Sequence, residues 1–206
     1  MSALSACDAA AQTAEDTADL PGTITSVRLN GDDGGVTLRG AKYATKVTVH
    51  RRLEYNGDKP SGRTYDLTGG VLELRGCGED CKANYTVDLP AGLPVQGRTS
   101  NGAIEPSGMG RVDVHTTNGE ITGTGLPGPV TAKTNNGGID LTVTRPADVT
   151  AETSNGAIDL SVPRGGYRVS ADTANGDKSI GVGNDPSGVH RLQLSTSNGA
   201  ITVTGA

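Results

Sequence analysis

The chain of 206 residues contains no Trp and no Phe and only five Tyr. Any core must therefore be aliphatic, because the side chains that usually bury the most area per residue are missing. No apolar run approaches the ~18 residues that a membrane-spanning helix needs. A net charge of -5 and the scarcity of aromatics exclude a nucleic-acid partner, which would require a basic face or stacking platforms. The three histidines, His50, His115 and His190, have no metal-type spacing to one another or to the cysteines, so no metal centre is expected. Nucleophile elbows, phosphate-binding loops, dinucleotide fingerprints and the calcium-binding nonapeptide are missing too. Neither a cofactor nor a catalytic residue is expected.

What the chain does have is glycine, 31 residues of it, without a Gly-X-Y period, which favours a turn-rich all-β protein over collagen. Asn-Gly pairs mark six copies of one pattern: Thr-Ser-Asn101, Thr-Thr-Asn118, Thr-Asn-Asn136, Thr-Ser-Asn155, Thr-Ala-Asn175 and Thr-Ser-Asn198, at spacings of 17, 18, 19, 20 and 23 residues. Apolar residues alternate on both sides of each pair. Val95, Val112, Val130, Val149, Val169 and Leu192 stand six before the Asn, and Ile104, Ile121, Ile139, Ile158 and Ile201 three after it. Between them come polar residues such as Arg98, His115, Lys133 and Glu152. Two short strands per copy follow, each with one inward face. No single copy can bury its aliphatic row, so the copies must stack.

The expected fold is a β-solenoid, like a single-stranded parallel β-helix, with Thr and Asn stacked into ladders from coil to coil. An antiparallel meander of Asn-Gly hairpins is the alternative; the variable return connections, such as Leu126-Pro-Gly-Pro129 and Asn184-Asp-Pro-Ser-Gly188, speak against it. Val27, Leu29, Asp33-Gly34, Val36 and Leu38 repeat the pattern once more, near the N-terminus. The domain reading is a tether over 1–19, an irregular N-terminal β region over 20–94 that caps the stack, and the six-copy solenoid over 95–206. At Asn175 the pattern departs: Lys178 stands where Ile is expected, and a bulge or register shift is expected there.

Leu4-Ser5-Ala6-Cys7 resembles a bacterial lipobox, with Cys7 the lipidated residue, and the Ala, Thr, Asp and Glu-rich stretch from Ala9 to Asp19 has the composition of a tether. Cys77 and Cys81 enclose Gly-Glu-Asp, a spacing that suits a disulfide across a tight loop in an exported protein.

From about Ala18 to Ala206 the chain resembles the candidate-adhesin β-strand-repeat family, lipoproteins with a domain of unknown function common in actinobacteria. The motifs that carry the resemblance are the Val27-x-Leu-x-Gly-x-Asp33-Gly opening, Gly76-Cys-Gly-Glu-Asp-Cys81, Val87-Asp-Leu-Pro-Ala-Gly-Leu-Pro-Val95 and the serial Thr-x-Asn-Gly-x-Ile copies. The resemblance implies a solenoid-like fold at the cell surface and no established activity. The expected function is a non-enzymatic, lipid-anchored adhesin-like scaffold on the outer side of the cytoplasmic membrane, with a surface partner that is protein or glycan. The alternative is a carbohydrate-active or carbohydrate-binding β-helix. Its nearest chemistry would be the outward row Glu105, Asp140 and Asp159, able to hold a cation or ligand. Ice binding is disfavoured because the repeated Thr falls on the inward parity.

Overall fold

The computed structural model describes residues 11–206, all β, in two sheets of ten and nine strands. Each Asn-Gly copy turns a corner between the sheets. Its first strand lies in one sheet and its second in the other, so one copy is one rung. In chain order the copies are β8 (Val95–Asn101) with β9 (Ile104–Ser107), β10 (Val112–Asn118) with β11 (Ile121–Leu126), β12 (Val130–Asn136) with β13 (Ile139–Val143), β14 (Val149–Asn155) with β15 (Ile158–Val162), β16 (Tyr167–Asn175) with β17 (Lys178–Ile180), and β18 (His190–Asn198) with β19 (Ile201–Gly205). Neighbouring rungs pair parallel and in register, Val112 with Val130 and Ile121 with Ile139, for example. Parallel pairing rules out the hairpin meander, in which the two strands of one copy would pair with each other.

Parity explains the core. Val112, Val130, Val149 and Leu192 form one row and Ile104, Ile121, Ile139, Ile158 and Ile201 the facing row, each at most 2% exposed. Branched aliphatics in register interdigitate between sheets about 10 Å apart, which is why a core without Phe or Trp can close.

Rung order is not chain order. The last copy, β18 and β19, lies between β14 and β15 on one side and β16 and β17 on the other. The fifth copy is therefore the terminal rung, which accounts for Lys178. No bulge or register shift occurs there, since Lys178, Ser179 and Ile180 pair regularly with Ile201, Thr202 and Val203. With no rung beyond it among the described residues, an Ile at 178 would face solvent; the Lys178 ammonium instead reaches across the end of the core to donate to the Ala171 carbonyl at 3.2 Å.

The other end is permuted as well. β2 (Ser26–Asn30) and β3 (Val36–Ala41) form the early rung found near Asp33 and stack directly on β8 and β9. Outside them comes a rung of β6 (Val71–Arg75) and β7 (Cys81–Pro90). This end is finished by antiparallel strands: β5 (Tyr65–Thr68) on β6, β4 (Val47–Tyr55) on β7, and β1 (Gln12–Leu20) on β4. The stretch expected as a tether is thus strand from Gln12 onward. It is held by complementary charge: Glu15 lies opposite Arg52 and Asp16 opposite Arg51. Asp16 chelates the Arg51 guanidinium, Thr48 donates to Asp19 at 2.7 Å, and Thr17 and His50 share a hydrogen bond of 2.7 Å. Cys7 lies outside the described residues.

Candidate functional site

Two hydrogen-bonded ladders run along the corner. The outer one is made of the turn asparagines. Asn118 donates to Asn101 at 2.7 Å, Asn136 to Asn118 at 2.8 Å, and Asn155 to Asn136, Asn198 to Asn155 and Asn175 to Asn198 at 2.9 Å each. Asn101 closes the series on the Asp33 carboxylate. All six Asn side chains are exposed. Each interior amide spends one N–H and one oxygen lone pair on its neighbours and keeps the others for water. The inner ladder belongs to the threonines two residues earlier. Thr116, Thr134, Thr153, Thr196 and Thr173 donate to the turn-glycine carbonyl of the adjoining rung at 2.9–3.1 Å. Thr99, Thr116, Thr134, Thr153 and Thr196 are buried, and they supply partners for carbonyls that the turn turns away from the sheet. Among the described residues no buried side-chain polar atom lacks a partner.

The outward row four residues after each Asn divides the acidic residues. Asp140 and Asp159 are register partners on adjacent strands, one strand spacing apart and exposed. Glu105 is separated from them by β11 and accepts a hydrogen bond from Thr37 at 3.0 Å instead. Among the described residues no three metal-ligating side chains cluster. On the opposite sheet Lys133 and Glu152 form an ion pair of 2.8 Å. Outward residues such as Gln96, Thr131, Thr150, Gln193, Thr142 and Thr204 are neutral, with the exposed charges of Arg98 and Asp113 among them.

Cys77 and Cys81 are joined in a disulfide with Cα atoms 5.6 Å apart. The bridge sits between β6 and β7, where every inner rung has its Asp-Gly or Asn-Gly turn. The outermost rung has no turn amide to stack on one side, and there a covalent link holds the corner.

The capped end also carries a polar knot that no motif announces. The Tyr85 hydroxyl lies 2.8 Å from the Thr64 carbonyl and 2.7 Å from the Arg75 carbonyl. Burial pushes its ionisation up to about 12. The Tyr65 ring meets Tyr85 edge-on at 6.4 Å and has the Arg51 guanidinium over it at 5.4 Å. Arg51 also donates to Thr64 Oγ1 at 2.9 Å. Only the Arg51-Arg52 doublet and the Lys59 and Arg63 loop hint at this cluster in sequence, because the strands that assemble it are far apart in the chain.

Stacked parallel rungs, corner ladders and a capped, disulfide-closed end define a two-sheet β-solenoid. The chain belongs to the Toastrack family, a domain of unknown function designated DUF4097, whose profile matches residues 93–204. Among solved structures it is similar to a candidate cell adhesion protein from Clostridium sporogenes, with TM-score 0.57 and 14% identity over 95% of this chain and 100% of that one. A candidate adhesin from Bacteroides fragilis aligns with TM-score 0.42 and 11% identity over 94% of this chain and 97% of that one. At such identity the first likeness speaks to fold alone. No curated protein sequence matches the chain.

Proposed function

We propose that this protein is an exported, non-enzymatic surface scaffold that offers its outer sheet faces to a protein or glycan partner, held at the membrane by lipid on Cys7. The observation that carries the reading is the pre-organisation of those faces. Eight parallel rungs, at about 4.8 Å each, make a stiff stack of roughly 40 Å. Its outward side chains stand on backbone locked by two ladders, so a partner binding there orders little that is not already ordered. The Cys77–Cys81 bridge suits an oxidising compartment. The name of the Clostridium sporogenes structure points the same way.

The experiment is expression in a bacterial host behind an export leader, followed by lipid labelling, protease shaving of intact cells and binding to a glycan and cell-wall polysaccharide panel with turnover monitored. Lipid label lost in Cys7→Ala, surface accessibility, and binding without turnover are the expected results. Reduced Cys77 and Cys81 in protein retained inside the cell would overturn the location. Turnover abolished by Asp140→Ala or Asp159→Ala would overturn the non-enzymatic reading in favour of a carbohydrate-active β-helix.

A further inference from the structure

At the capped end the two sheets do not meet. Between β1 and β4 on one side and β5 on the other lies a cavity of about 650 Å³, roofed by the loop that joins β4 to β5. The volume falls within the ~300–1,000 Å³ usual for small-molecule sites. Its lining is amphipathic. Leu20, Leu67 and Pro60 supply aliphatic wall, and Arg51, Lys59 and Arg63 supply three cations against two carboxylates, Asp66 in the lining and Asp16 behind Arg51. In a chain of net charge -5 this is a local reversal of sign.

The cations differ in kind. Arg51 is fixed, its side chain 15% exposed, stacked over Tyr65 and tied to Asp16 and Thr64. Of its five N–H donors three are used in those bonds, which leaves two for a ligand. Lys59 and Arg63 stand on the loop and make no ion pair among the described residues. Arg51 covers one face of the Tyr65 ring, and beside that ring the apolar wall is aliphatic.

We propose that this cavity binds a monomeric acidic amphiphile, a carboxylate or phosphate monoester on a short alkyl body. The anion is held by Arg51, Lys59 and Arg63, and the alkyl body lies against Leu20, Pro60 and Leu67. The site is remote from the long outer faces and does not depend on their having a partner.

Isothermal titration of the full chain with decyl phosphate and decanoate below their micellar concentrations tests it, with decyl maltoside and inorganic phosphate as neutral and head-only probes. Saturable binding of one equivalent of an acidic probe is expected. Decyl maltoside and phosphate alone should bind at least about tenfold more weakly, since each lacks half of the recognition. Lys59→Gln with Arg63→Gln should weaken acidic-probe binding by roughly tenfold at low salt, with an unchanged melting temperature showing that the fold is intact. Leu67→Gln should weaken decyl phosphate and leave inorganic phosphate unaffected. Equal binding of decyl maltoside would overturn the proposal, as would acidic-probe affinity indifferent to the double substitution. Retention on phosphatidylglycerol vesicles without uptake of monomeric decyl phosphate would overturn it too, being surface charge alone.

Discussion

Replacing Gly137 by Ala should be among the most damaging single-methyl additions in the molecule. Gly137 follows the turn Asn136 in the middle of the stack with φ +155°, and a Cβ there would lie 2.1 Å from the Gly119 oxygen, 2.5 Å from the Gly119 carbonyl carbon and 3.0 Å from the Glu120 nitrogen. All three are backbone atoms of the neighbouring rung, so no rotamer change relieves the overlap. Conformational strain of ~1–3 kcal/mol adds to an overpacking cost of ~1–3 kcal/mol, about 4 kcal/mol together. For a chain of this length that corresponds to a melting point lower by about 10 °C. Gly57→Ala is the control: φ there is +82°, yet nothing lies within 4 Å of its added Cβ. It should cost only the left-handed penalty of ~1–2 kcal/mol, a fall of about 5 °C or less. Calorimetric melting of both variants separates interlocked rungs from merely strained turns. Equal decreases, or a Gly137→Ala protein within about 3 °C of the native one, would refute the reasoning.

The ladders should differ in value. Thr153→Val strands the Gly137 carbonyl at the price of one buried partner, ~1–3 kcal/mol, whereas Asn155→Leu breaks two exposed bonds that water can replace, ~1 kcal/mol in all; melting temperatures that reverse this ranking would contradict it. Lys178→Ile should extend the buried isoleucine row to the open end and shift the protein toward larger species in size-exclusion chromatography with light scattering; an unchanged profile would deny Lys178 a capping role. Reduction of Cys77–Cys81, or its paired Ser substitution, should lower stability by about 2 kcal/mol on the loop-closure account, read from denaturant midpoints; no change would mean the corner is held by hydrogen bonds alone. Tyr85, raised by burial to about 12 against an ordinary 10.0, binds its proton more tightly folded than unfolded. Its contribution is fully present below pH 10 and lost as pH rises toward 12, at about 1.4 kcal/mol per unit. Tyr85→Phe should lack that slope, and parallel melting curves above pH 10 would exclude the cause.

The repeat was legible in sequence because alternation of small aliphatics with polar residues reports directly on which face is inward. The strand β4, Val47–Tyr55, and the early rung at Asp33 were readable for the same reason. The inward placement of the repeated Thr was equally visible, but its partner was not, since the carbonyl it meets belongs to another rung. Stacking order escaped because similar rungs present similar interfaces, and pattern alone does not say which copy lies beside which. Two local signs bear on it: Lys178 breaks the Ile row, and the longest connection in the series runs from Asn175 to Asn198, length that lets the chain come back past a rung. β1 was missed because Gln12–Leu20 lacks alternating apolar residues and owes its place to Arg51 and Arg52 across the strand pair. Among the acidic residues, Asp140 and Asp159 are neighbours because their copies are consecutive in both chain and stack, and Glu105 is two rungs removed.

The interior slot taken by β18 and β19 ties completion of the far end to arrival of the sixth copy, the later of the two in the chain. A later segment of the chain lodges between two rungs made before it, so β16 and β17 either wait undocked or stack early and then give way. A chain stopped after Gly188 would leave the Ile158 row without its proper cover and the Lys178 cap without a seat.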